Sequence, residues 1–358
     1  MKVFKLGVLF LILGLVVPLG AFAGGEEEGV TGAEKEIVIG VSNGYFGNEW
    51  RTQDIEGIQK VFEFYRGKGM VADLIIQHAG GDINQQIQQS RVMINEGVDV
   101  LMINANSATG CNGVITEAEE AGIPVVSFDQ AVTHPYVVNV TNNHYDWATE
   151  LATWIAEELN GKGKVIVLNG LPGHPAAEER RRAALDVFGK YPDIEVLAAE
   201  YGFWDNSKAQ QIMTDLLAGY PQVDGVWVGD TMATGVYNAF KFAGRDLPVM
   251  LADPMFGFFK KWKAELDSGV DYKAFCIANP PGVGATALGM AVYLAHGYEL
   301  KPEVLAGEHN NTFYIPIRVS VTRDNLDQML EEMKGSRDTL LLDDWLTDEE
   351  VRALFKGL

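Results

Sequence analysis

Val98-Asp99-Val100-Leu101-Met102-Ile103-Asn104, then the helix-patterned stretch Val114 to Ala121, then Ile123-Pro124-Val125-Val126-Ser127-Phe128-Asp129: this run decides the fold. Two short apolar segments rich in β-branched residues flank an amphipathic one. Strands without polar alternation are covered on both faces, which is the signature of a parallel sheet with helices on either side. A strand, helix and strand of this size form a right-handed crossover. Each strand also ends on side chains that carry chemistry, Asn104 and Asn106 after the first, Asp129 and Gln130 after the second.

The same grammar extends in both directions. Upstream, Ile37 to Val41 reads as a strand, the stretch through Ile58, Val61, Phe62 and Tyr65 as a helix, Val71 to Ile76 as a strand and Ile83 to Ile94 as a helix. Downstream, a second series begins after Tyr136 to Val140. It has helices at Tyr145 to Leu159, Ala176 to Phe188, Ala209 to Leu217 and Met232 to Phe242, and strands at Lys164 to Leu168, Ile194 to Ala199, Gly225 to Val228, Val249 to Ala252 and Ala274 to Ile277. Regular alternation specifies an open α/β sheet. A mature chain of about 335 residues exceeds the size at which single cores stop growing. Two doubly wound parallel-sheet lobes therefore fit better than one closed barrel, and no solenoid-length repeat is present.

The first 23 residues address the chain. Lys2 and Lys5 precede an apolar run from Leu6 to Val17, and Ala21-Phe22-Ala23 offers a small-x-small cleavage site, the pattern of a secretory signal peptide. The implied compartment is a bacterial periplasm, with the mature protein soluble. Residues 24–35, with Glu26-Glu27-Glu28 among glycines, read as a disordered leader. The formal charge of −21 repels phosphate backbones and anionic lipid, which excludes nucleic acid as a partner class. Two cysteines, Cys111 and Cys276, make no disulfide framework and read as unpaired thiols packed as small hydrophobes, with a bridge between them, which export permits, as the alternative. At the other end Thr347 and Glu350 form a capping box for a last short helix, docked through Trp345 and Phe355.

Ligands of open α/β sheets bind beyond the carboxyl ends of the strands. Those ends give Ser42, Asn43, Asn104, Asn106, Asp129, Gln130, Asp230, Asp253 and Asn279, with Trp50 and Trp204 in the adjoining loops or helix starts. Amides and carboxylates that accept and donate together, beside aromatic plates and without a nucleophile next to a base, suit a neutral polyhydroxylated ligand. Each residue also has a plainer use. Asp230 and Asp253 precede helices and can simply cap them. Trp50 and Trp204 can pack in a core, and of Arg180-Arg181-Arg182 only one is expected inside a cleft.

In these residues the sequence resembles the periplasmic sugar-binding proteins of the ribose and galactose type, over most of the mature chain. The matching stretches are Ile39-Gly40-Val41-Ser42 followed by Asn48 and Trp50; Leu101-Met102-Ile103-Asn104; and Ile123 through Asp129. In the second half they are Pro175-Ala176-Ala177-Glu178-Glu179-Arg180; Phe203-Trp204-Asp205; and Val228-Gly229-Asp230-Thr231-Met232-Ala233. The resemblance implies a type I periplasmic binding protein fold, two lobes joined by a multi-strand hinge crossing near Thr141 to Asn143, Asn279 to Pro281 and Tyr314 to Pro316. It places residues 36–141 and 280–314 in an N-terminal lobe and 142–279 and 315–358 in a C-terminal lobe. It implies that Asp129 and Arg180 bind adjacent sugar hydroxyls from opposite lobes, that Asn48, Asn104, Asp230, Asp253 and Asn279 complete the hydrogen bonds, and that Trp50 and Trp204 sandwich the ring. Gln130 stands where the ribose binders usually carry Arg, and Asp230 where Asn is common, which leaves the sugar open. The implied partners are a monosaccharide or polyol and a membrane ABC permease, to which a monomer with no cofactor delivers the ligand.

Two patterns favour other classes. Gly40-Val41-Ser42-Asn43-Gly44 matches a nucleophile elbow and suggests an exported α/β hydrolase using Ser42, although no helix follows at once. Gly282-Val283-Gly284 imitates a dinucleotide fingerprint but lacks its acidic second strand, so close helix packing is the expected use. The six histidines show no metal-ligand spacing. A third class shares the sugar site but serves a chemoreceptor or sensor kinase.

Overall fold

The computed structural model describes residues 35–358, so the signal peptide and all but the last residue of the acidic leader lie outside the described residues. The first lobe is built on β1 (Ile37–Asn43), α1 (Glu49–Gly67), β2 (Val71–His78), α2 (Ile83–Glu96), β3 (Val100–Asn104), α3 (Asn112–Glu120), β4 (Val125–Phe128) and β5 (Val138–Thr141). The second begins with α4 (His144–Glu158), β6 (Lys162–Asn169), α5 (Pro175–Phe188), β7 (Asp193–Tyr201), α6 (Asn206–Gly219), β8 (Gly225–Val228), α7 (Ala233–Phe242), β9 (Val249–Leu251), α8 (Phe256–Asp267) and β10 (Ala274–Ile277). The chain then returns to the first lobe with α9 (Val283–Ala295) and β11 (Thr312–Tyr314). It crosses back for β12 (Ser320–Val321) and α10 (Leu326–Glu332), and ends in α11 (Asp348–Arg352).

The first sheet has the order β2-β1-β3-β4-β5-β11 and the second β7-β6-β8-β9-β10-β12. Every pairing is parallel except β10 with β12. The strands that read as unbroken apolar runs, β3, β4, β8 and β10, are buried at every position, as helices on both faces require. In each sheet the strand order reverses beside the first strand of the series, at β1 and at β6. The carboxyl ends there form a crevice.

Helix α9 is apolar all round and buried from Val283 to Tyr293, because it packs at once on the first sheet and on α1. Gly284 makes this approach possible: a Cβ there would lie 2.2 Å from Asp54 Oδ1. The glycines of this segment thus serve helix packing, as expected. Both cysteines are free and buried, and burial pushes the Cys111 thiol up to about 11.

The last residues depart from the domain division read from the sequence, which put all of 315–358 in the second lobe. The capping box forms as expected, with the Thr347 hydroxyl accepting from the Glu350 N–H and the Glu350 carboxylate accepting from the Thr347 N–H. From there the chain packs on the first lobe. The hydroxyls of Tyr65 in α1 and Tyr293 in α9 donate to Asp348 at 2.8 and 2.6 Å, and Phe355 is fully buried against Tyr293. The strap starts at Leu341, which bridges to Met255 of the second lobe while its amide and carbonyl both bond to Gln53 of α1. Two tyrosine donors and an apolar shelf outweigh chain proximity.

Candidate functional site

Between the carboxyl ends of the two sheets lies a cavity of about 330 Å³. Its wall contains Asn48, Trp50, Arg51, Asp129 and Gln130 from the first lobe, Ala176, Arg180, Trp204, Asp230 and Thr231 from the second, and Asn279 from a crossing segment.

In the first lobe the wall is set by the first turn of α1. Asn48 caps the helix, its Oδ1 accepting from the Arg51 N–H at 2.9 Å, so its amide N–H groups are what remains for the cavity. Trp50 donates its indole N–H to the Asn279 carbonyl at 2.8 Å, fixing the ring against the crossing segment. Arg51 sits at the helix N-terminus, where a cation opposes the dipole, and finds its counter-charge in Asp129: Nη2 to Oδ2 is 3.1 Å. Asp129 follows β4 in a left-handed conformation, φ 60°, and also accepts from Gln130 Nε2 at 2.7 Å.

In the second lobe the corresponding pair is Arg180 and Asp230, Nη1 to Oδ2 3.5 Å, both almost wholly buried. Asp230 follows β8 at φ 78° and accepts from the Asn279 amide at 3.1 Å, while its Oδ1 has no protein partner. Burial raises the Asp230 carboxyl above its ordinary range, opposed by Arg180 and the Asn279 hydrogen bond. Arg180 lies over the Trp147 ring at 4.5 Å and donates to His144 Nδ1 at 3.1–3.3 Å. Burial, and then the Arg180 charge, hold His144 well below the usual imidazole range, so it is the neutral acceptor this bond requires. Trp204 lies flat on Gly170, where a Cβ would come within 2.2 Å of the indole, and donates its N–H to the Gly229 carbonyl at 2.8 Å. Trp204, Asp230 and Thr231, which line the cavity, and Phe203 next to Trp204 all have positive φ, backbone strain gathered at or beside the cavity wall.

The site thus holds two carboxylates and two guanidiniums, each acid paired inside its own lobe. Crossing segments complete it, since Asn142 donates to Asn279 Oδ1 at 3.3 Å and Trp147 to the Ile277 carbonyl at 3.2 Å.

Of the residues expected at the ligand, Asn48, Trp50, Asp129, Arg180, Trp204, Asp230 and Asn279 meet at this cavity, and two do not. Asp253 caps α7 instead: its carboxylate accepts from the Ala233 and Thr234 N–H groups at 2.8 and 2.9 Å and from the Thr234 hydroxyl at 3.0 Å. The residue before that helix is Met232, which has no side-chain acceptor, so Asp253 is drawn in to satisfy exposed amides. Asn104 is buried at the end of β3, outside the cavity wall. Its carbonyl accepts from Gln86 and from the Gly44 N–H, and its side-chain amide has no protein partner. Ser42 lies inside β1, fully buried, and its hydroxyl makes no hydrogen bond, which removes the nucleophile elbow.

Gln130, named as a strand-end residue, lines the wall, whereas the sequence reading missed Arg51, Thr231 and the His144 support. Arg51 had a signal, a cation in the first turn of a helix, which calls for a nearby anion. His144 had none, because it reaches Arg180 only through tertiary packing.

The sequence model of the periplasmic binding protein domain matches residues 39–299. The chain belongs to that family. It is a family of binding proteins, and the fold is that of the type I periplasmic binding proteins. The xylitol-binding protein of Mycolicibacterium smegmatis is 26% identical over 75% of this chain and 74% of its own. The ribose import binding protein of Bacillus subtilis is 28% identical over 77% of this chain and 87% of its own. An ABC transporter solute binding protein from Thermobispora bispora superimposes with a TM-score of 0.79 at 26% identity, covering 89% of this chain and 94% of that one. No helix among the described residues is long and apolar enough to cross a membrane.

Proposed function

We propose that this periplasmic binding protein captures an uncharged monosaccharide or related polyol between its lobes and hands it, without chemical change, to the permease of an ABC transporter. The observation that carries the reading is the convergence of Asn48, Trp50, Asp129, Arg180, Trp204, Asp230 and Asn279 on one cavity of about 330 Å³. Each carboxylate there is already balanced by a guanidinium, so a charged guest would bring an unpaired charge into a buried space. A hydroxyl-rich guest instead accepts from the guanidiniums and amides and donates to the carboxylates, and its C–H faces pack on the indoles. Because the wall comes from both lobes, the guest contacts all of it only when they are closed, and it shifts the population toward that state. The relatives known as sugar and polyol binders support the same class of ligand.

The test is a thermal-shift and calorimetric screen of the mature protein against pentoses, hexoses, polyols and cyclitols, with sugar acids and amino sugars as charged controls. A neutral member should raise Tm and bind with a defined Kd. No shift from any neutral member, or a preference for the charged controls, contradicts the proposal.

A further inference from the structure

We propose that the ligand is longer than one ring: a neutral glycoside whose sugar occupies the inner cavity and whose O-linked substituent fills an adjoining outer chamber. The inference rests on the carbohydrate reading of the inner cavity and deepens it.

The outer chamber, about 950 Å³ of space open to solvent, shares Asn48, Arg51 and Trp204 with the inner cavity, so these three side chains stand between the two. Part of its rim is bare, exposed backbone: at Gly80 and Gly81 of the first lobe and Gly173 of the second, all of positive φ, an added Cβ would meet nothing within 4 Å. Tyr45, 38% exposed, lines the chamber from the first lobe and Leu171 from the second. An aromatic ring at this rim offers a second sugar, or an aglycone, the same C–H or ring face that the indoles offer inside.

The junction carries the argument. Arg51 commits Nη2 to Asp129, but its Nη1, shielded from solvent, has no protein partner. His174 stands edge-on to Trp204, ring centroids 4.7 Å apart, and its Nδ1 is likewise shielded and unpaired. Burial, and then the charges of Arg51 and Arg180, push the His174 imidazole down to about 3, so it is neutral at physiological pH. A mere entrance needs no shielded polar atoms at its neck, since such atoms are normally hydrogen-bonded. A permanent N–H donor and a neutral imidazole nitrogen lining one chamber match an ether oxygen with a neighbouring hydroxyl, the polar pattern of a glycosidic linkage.

The experiment is calorimetry with each neutral sugar that binds, paired with its methyl and phenyl glycosides and with disaccharides bearing it at the non-reducing end. At least one glycoside should bind as tightly as its parent or more tightly. Tyr45→Ala and the chamber-filling Leu171→Trp should each raise the glycoside Kd at least 10-fold while leaving the parent within 3-fold. Parents that bind while every glycoside is 100-fold weaker, or variants that move parent and glycoside alike, overturn the outer chamber and leave the inner site standing. Failure of every sugar and glycoside to bind overturns the carbohydrate reading itself, and this inference with it.

Discussion

The two lobes solve one problem with different strands. Each ends a strand in a left-handed Asp that faces the cleft and pairs with an Arg from the helix after the lobe's first strand: Asp129 with Arg51 of α1, Asp230 with Arg180 of α5. Yet the first lobe draws its acid from the fourth strand of its series, β4, and the second from its third, β8. The topological counterparts are Asn104 after β3 and Asp253 after β9. Asn104 is withdrawn beneath the wall, and Asp253 is spent on the amides of α7. A strand end therefore supplies a candidate, and the nearest unsatisfied backbone decides whether it reaches the ligand.

The largest effect that can break this comparison is on Arg180. It is buried with Asp230 on one side and His144 and Trp147 on the others, so Arg180→Ala leaves a carboxylate unpaired in a closed space. Breaking such a pair costs about 3–5 kcal/mol, to be read from denaturant unfolding. Each acid keeps one amide donor, Asp129 from Gln130 and Asp230 from Asn279, but the Arg51–Asp129 pair is the less deeply buried, with side chains 9% and 8% exposed against 3% and 4%, so Arg51→Ala should cost less. Equal losses would make the two pairs equivalent.

The next contrast sets Asp230 against Asp253. Asp230→Ala should raise the Kd of the neutral ligand at least 10-fold. Asp253→Ala should leave it within 3-fold while lowering stability by about 1–2 kcal/mol through the lost cap. If Asp253→Ala weakened binding as much as Asp230→Ala, the division of labour between β8 and β9 would be wrong.

The smallest effect is on pH dependence. His174 titrates near 6.5 when unfolded and at about 3 when folded, so between those values the unfolded chain binds the extra proton. Its contribution is present near neutral pH and is lost as the pH falls from about 6.5 toward 3. Differential scanning calorimetry at pH 7 and pH 4 should show a fall in Tm that His174→Gln narrows by about 3 °C. An unchanged fall would mean that the imidazole is not held neutral by its surroundings.

Much of this was legible in the sequence because the apolar runs announce buried parallel strands and their ends name the polar candidates. The boundaries moved where local chemistry intervened. Pro124 delays β4 to Val125, and β3 runs on to Asn104 in register with Asn43. Helix α8, Phe256–Asp267, went unread because its aromatic cluster Phe256, Phe258 and Phe259 obscures a helical period, and the antiparallel β12 is too short to carry one. At the site, Asp129 and Asp230 could be named from position alone. The fate of Asp253 turned on Met232 being unable to cap α7, twenty-one residues earlier in the chain, and the docking of the last residues turned on the hydroxyls of Tyr65 and Tyr293.

The central claim is that acids from both lobes hold one guest. Its most direct test is the calorimetric Kd of the tightest neutral ligand for Asp129→Ala beside the unaltered protein. Loss of a carboxylate that accepts from ligand hydroxyls in a closed site should raise the Kd about 100-fold, in line with roughly 1.5–3 kcal/mol for a charge-assisted hydrogen bond, with the unfolding transition still cooperative. A Kd within 3-fold of the unaltered protein would place the guest on the second lobe alone and contradict the account.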